Sequence, residues 1–106
     1  MRVVLCNCTP AEAPELARTL VAEGLAACVN LLPDVVSFYV WEGKLQEERE
    51  CTLLIKTAAE SVKRLRRRIG DLHSYENPEI VALDVDLEGS AEAYVEWVRR
   101  AGLKAE

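Results

Sequence analysis

An α+β fold is predicted for this chain: a βαββαβ sandwich with an extended central hairpin and a C-terminal helix. Three observations predict it. Strand-like and helix-like runs alternate in the order β-α-β-β-α-β, and one more helical run follows. The two arms on either side of Glu42-Gly43 are longer than the usual strand of about five or six residues. The runs at 3–6, 53–55 and 80–83 are apolar at every position instead of alternating, as in strands covered on both faces.

The first strand is read at residues 2–8, apolar on both sides through Val3-Val4-Leu5-Cys6. Thr9 and Glu12 have capping-box spacing, and Pro10 suits a first helical position. Pro14 would remove a first-turn hydrogen bond, which delays the regular helix to Ala13 or Pro14. Leu16, Ala17, Leu20 and Val21 form its apolar stripe, and Gly24 ends it after Glu23. A second strand runs from Ala27 to Leu32, punctuated by Pro33-Asp34. Three of the six aromatic residues then fall within Phe38–Trp41. Alternation places Val35, Ser37, Tyr39 and Trp41 on one face and Val36, Phe38 and Val40 on the other. A hairpin apolar on both sides needs cover from something else.

Glu42-Gly43 makes the turn, since Gly43 takes positive φ freely. A polar run 46–50 leads into Cys51-Thr52-Leu53-Leu54-Ile55-Lys56. Ser61 or Thr57 can cap the next helix, whose stripe is Val62, Leu65, Ile69 and Leu72. Its outer face carries Lys63, Arg64, Arg66, Arg67 and Arg68, which without interleaved aromatics reads as a solvated face. Residues 73–78 form a loop and 79–85 the last main strand. Gly89-Ser90 opens a final helix with Tyr94, Trp97, Val98 and Ala101 on one side. Two β-α-β halves around a hairpin are the ferredoxin-like arrangement. In a monomer of this kind one sheet face is wet, so the unbroken apolar strands predict that oligomerisation covers it.

A chain of 106 residues is read as one domain over 1–106, with room for one core and too short for two. Half its residues are hydrophobic and 29% are charged, a globular balance. A net charge of −5 argues against nucleic acid or an anionic membrane as partner. No apolar run has the length of a membrane span, and the N-terminus lacks a signal peptide's apolar region, so a cytoplasmic location is expected. The four cysteines show no Cys-x-x-Cys pair, which reads as reduced thiols in apolar surroundings.

Several segments together resemble one family. They are Gly24-Leu25-Ala26-Ala27-Cys28-Val29-Asn30, Tyr39-Val40-Trp41-Glu42-Gly43-Lys44, Leu54-Ile55-Lys56-Thr57, residues 72–80 from Leu72-His73 to Glu79-Ile80, and Tyr94-Val95-Glu96-Trp97. In this order, and across nearly the whole chain, they resemble the CutA divalent-cation tolerance proteins. The resemblance implies a ferredoxin-like subunit in a homotrimer similar to the PII signalling proteins. It implies sheets turned inward and the long hairpin pairing with a neighbour. It also implies tolerance to copper and other divalent cations, with metal binding proposed and no established catalysis. Ser74 and Asn77 depart from the family, which usually has proline and an aliphatic residue there.

The candidate site follows from these segments. It is an intersubunit cleft where the hairpin residues Tyr39, Trp41 and Glu42 and the strand residue Lys56 approach Tyr75 and Glu79 of the loop. His73, the only histidine, is the candidate metal ligand, with copper or zinc as the candidate ion and no obligatory cofactor. As a plain helix-end residue it would instead interact with the helix dipole. Cys6 and Cys8 share a strand face near a helix start, where a thiolate is favoured, yet two ligands close no site. The aromatics can equally be interface anchors, and Glu42, Lys44 and Lys56 solvated charges. A copper chaperone would need Cys-x-x-Cys after the first strand, and an acylphosphatase a phosphate-cradling loop. Cys8-Thr9-Pro10-Ala11 provides neither. The chain is therefore expected to bind and not to catalyse. A sensing or scaffold trimer without a metal site is the alternative.

Overall fold

Thr9 and Glu12 fix where the first helix begins. The Glu12 amide donates to Thr9 Oγ1 at 3.2 Å, and the Thr9 amide donates to Glu12 Oε2 at 3.1 Å. This reciprocal pair is the capping box. The helix, α1 (Ala13–Ala22), becomes regular only at Ala13, one residue before Pro14. At its other end Gly24 takes φ 72°, the Gly24 amide donates to the Val21 carbonyl, and the Leu25 amide donates to the Leu20 carbonyl. These are the two bonds of a Schellman cap.

The computed structural model describes residues 1–103. Strand β1 (Arg2–Cys8) precedes α1, and a long pair follows, β2 (Cys28–Trp41) and β3 (Lys44–Thr57). A short 3₁₀ turn at Ala59–Ser61 leads into α2 (Val62–Leu72), and then come β4 (Ile80–Asp84) and α3 (Glu92–Leu103). The sheet order is β2-β3-β1-β4, with every neighbouring pair antiparallel. This is the ferredoxin-like arrangement.

The core lies between one sheet face and the first two helices. Val4, Cys6 and Cys8 of β1, Leu53 and Ile55 of β3, Leu16 and Leu20 of α1, and Leu65 and Ile69 of α2 form one buried cluster. A fully buried leucine contributes about 1.5–3 kcal/mol, so these positions carry the fold. The helix stripes are narrower than the sequence suggests. Val21 and Leu72, placed in those stripes by the sequence, are exposed. Neither Thr57 nor Ser61 caps α2 through its side chain. The 3₁₀ turn prepares the helix, and the Thr57 hydroxyl donates instead to the Leu25 carbonyl at 2.7 Å.

Pro33-Asp34 does not break the second strand. The pairing slips there by one residue, so that Leu32 faces Thr52 and Val35 faces Glu50. Asp34 takes φ 59°, and the extra residue forms a β-bulge. The bulge lets odd residues beyond it continue the sheet face that even residues held before it. Cross-strand register therefore places Val3, Leu5, Asn7, Thr52, Leu54, Lys56, Val81 and Leu83 on the face turned away from α1 and α2. Ser37, Tyr39 and Trp41 continue that face into the hairpin. Helix α3 meets the sheet near Cys28, where burial and a hydrogen bond with Cys28 raise the Tyr94 pKa. Val98 of α3 is buried, but Tyr94 and Trp97, placed on the same side by the sequence, remain substantially exposed.

Candidate functional site

The loop 73–79 is tied down by a buried histidine and an unusually well-satisfied carboxylate. His73 caps the C-terminal end of α2, and its amide donates to the Ile69 carbonyl. Its side chain is fully shielded from solvent. Nε2 lies 2.8 Å from the Asn7 carbonyl oxygen, and the Tyr75 amide donates to Nδ1 at 3.0 Å. The tautomer with its hydrogen on Nε2 satisfies both bonds. The Glu12 carboxylate accepts from the Ser74 amide at 3.1 Å and from the Ser74 hydroxyl at 2.6 Å, besides two bonds from Thr9. Burial raises its pKa, but the hydrogen bonds from Ser74 and Thr9 outweigh that and hold it at about 2.

Beyond this loop a cleft of about 640 Å³ opens between the outer half of the hairpin and residues 75–79. Its walls are Ser37, Phe38, Tyr39 and Trp41 from β2, Glu50 from β3, Asn7 from β1, and Tyr75, Glu76, Asn77 and Glu79 from the loop. The Tyr75 hydroxyl donates to Glu50 Oε2 at 2.9 Å, so the loop and the hairpin touch across it. Burial and this bond to a carboxylate push the Tyr75 phenol well above its ordinary range.

Four of the residues expected at the site, Tyr39, Trp41, Tyr75 and Glu79, line this cleft together. Three do not. Glu42 sits exposed at the hairpin tip with φ 50°. Lys56 lies six residues beyond Glu50 on β3, about 20 Å away at the strand rise, where it bonds the Asn30 side chain. His73 lies behind the loop with both ring nitrogens engaged, so a metal ion there would displace the Asn7 or the Tyr75 bond. Glu50 was hidden in a run read as polar strand, and only the fold places it opposite Val35 and against Tyr75.

The cysteines offer no reactive centre. Cys6 and Cys8 are fully buried, and burial, with smaller contributions from neighbouring thiols and carboxylates, pushes both thiols up to about 12. The helix start near Cys8 does not overcome that desolvation. Cys28 is only half-buried, beside the Lys56 ammonium. Among the described residues no three His, Cys, Asp or Glu side chains converge into a group that could hold a metal ion.

A family profile described as CutA1 divalent ion tolerance protein matches residues 2–101. The divalent-cation tolerance protein CutA of Thermus thermophilus is 43% identical over 101 residues, covering 93% of this chain and 96% of that protein. The human protein CutA is 42% identical over 88 residues, and the aligned region spans about half of that longer protein, 48%. The solved apo form of the PII-like protein CutA from Nostoc sp. PCC 7120 superposes with a TM-score of 0.93 at 40% identity, covering 96% of this chain and 97% of that one. The profile spans the hairpin, the loop and all four strands that build the cleft, and the chain belongs to the CutA1 divalent ion tolerance protein family.

Proposed function

We propose that this chain is one domain of a cytoplasmic homotrimer that binds a divalent cation or another small ligand at a cleft between subunits. The observation that carries this reading is the uncovered apolar surface. Leu32, Val81 and Leu83 on the open sheet face are about 44% exposed or more in the isolated chain, and Phe38 and Val40 of the hairpin about 64% or more. Leaving so much contiguous apolar surface in water is unfavourable, and a partner copy is the simplest cover. The relatives named PII-like and CutA support assembly of this kind. Binding is the proposed role, without catalysis and without nucleic acid or membrane partners.

For the metal reading, His73 would coordinate copper or zinc after giving up one of its two bonds, with a cleft carboxylate such as Glu79 as an oxygen donor. The engaged imidazole favours the second reading, a sensing trimer whose cleft takes a small molecule and holds no specific metal. Native mass spectrometry with and without Cu(II) and Zn(II), on the parent protein and on His73→Ala, separates them. Three ions per trimer, lost in the variant, support the metal reading. A trimer that takes up no ion leaves the small-molecule reading, and a monomer contradicts both.

A further inference from the structure

The cleft has a pronounced chemical bias. Three aromatic residues, Tyr39 and Trp41 on its sheet face and Tyr75 from the loop, share its walls with three carboxylates, Glu50, Glu76 and Glu79, and among the described residues no lysine or arginine lines it. Glu50 is only 6% exposed. Among the described residues its one side-chain hydrogen-bond partner is the neutral Tyr75 hydroxyl, and no basic side chain lies within ion-pair distance. A carboxylate taken out of water this far calls for a positive partner. Among the described residues the chain supplies none, and Trp41 on the cleft wall is 53% exposed in the isolated chain.

We propose that the cleft takes a small organic cation, an alkyl or quaternary ammonium group, held between its aromatic walls and its carboxylates. This rests on the reading of the cleft as a ligand site and names the ligand class. The size fits, since small-molecule sites span roughly 300–1,000 Å³. A bare metal ion needs several donors converging at about 2.0–2.6 Å, and the three carboxylates line the wall without converging in that way. A quaternary ammonium group spreads its charge over its C–H surface. It is satisfied by carboxylates at a distance and by aromatic rings within about 6 Å. A neutral ligand of the same shape would leave Glu50 without a counter-charge, and an anion would be repelled by all three carboxylates.

The test is calorimetric titration of the full chain, in its native assembly, with choline and with 3,3-dimethylbutan-1-ol. The second has the same shape with carbon in place of the charged nitrogen. Choline is expected to bind saturably and the alcohol at least roughly tenfold more weakly, the scale of one cation–π contact or one lost charge pairing. Glu50→Gln keeps an acceptor for Tyr75 and is expected to weaken choline by a similar factor, while Arg67→Ala on α2 leaves it unchanged. Glu79→Gln, at an exposed wall residue, is the second variant if Glu50→Gln fails to fold. Equal binding of choline and the alcohol would overturn the ammonium assignment and keep the ligand site. So would Zn(II) or Cu(II) binding that is lost in Glu50→Gln while choline does not bind. No binding by any of these probes would overturn both the assignment and the ligand-site reading.

Discussion

Glu12 is where one residue decides the shape of a whole loop. Its carboxylate closes the capping box with Thr9 and also holds Ser74 by amide and hydroxyl, 62 positions away in sequence. Proline at position 74 would have neither donor, so Ser74 forms a polar latch that a proline there would not. The Glu12 pKa is depressed to about 2 in the folded chain against an ordinary value near 4.5. Its contribution to stability is therefore fully present above about pH 4.5 and is lost as pH falls toward 2. Glu12→Gln should lower stability at pH 6 by roughly 1–3 kcal/mol, the scale of hydrogen bonds to a charged acceptor. It should also flatten the decline between pH 5 and 2.5, and urea denaturation at both ends of that range checks it. An unaltered decline in the variant would mean that another carboxylate carries the acid sensitivity. The capping box was legible from Thr9 and Glu12 alone, because it is local. Ser74, Glu50 and the bond from His73 to Asn7 were not, because those contacts join residues 25 to 66 positions apart.

The hairpin is the element that builds the cleft, and its two irregularities are both positive-φ positions. Asp34, at 59°, absorbs the extra residue of the bulge, and Glu42, at 50°, starts the two-residue turn with Gly43 at 78°. The sequence showed a turn at 42–43 and a discontinuity at 33–34, but periodicity alone does not distinguish a bulge from a break. The distinction matters, because the bulge keeps Tyr39 and Trp41 on the cleft side. Positive φ at both turn positions matches the type I′ class, which prefers Asn-Gly. A glutamate held left-handed is strained by about 1 kcal/mol, so Glu42→Asn should raise stability by about 0.5–1 kcal/mol. A rise in the urea midpoint with an unchanged slope would confirm it. A fall would mean that Glu42 makes a stabilising contact in the assembly.

At the scale of the molecule, the isolated chain is elongated, 45 × 29 × 21 Å, with one face of its sheet and both faces of its hairpin turned to water. The unbroken apolar strands made the need for cover legible in the sequence. They could not show how cover is achieved, because register and the bulge decide which side chains lie on the open face. Trp41 lines the cleft and is 53% exposed in the isolated chain, so it can anchor a neighbour, whereas Arg67 sits on the solvated face of α2. Trp41→Ala should weaken assembly by about 2 kcal/mol or more, and Arg67→Ala by under about 1 kcal/mol. Dissociation of both variants at the same dilution would remove the hairpin from the interface. The most direct measurement is the solution mass of the unmodified chain by light scattering at micromolar concentration. Three times the 11.8 kDa of one chain is the predicted result, and a mass of one chain would contradict the assembly on which the cleft's role depends.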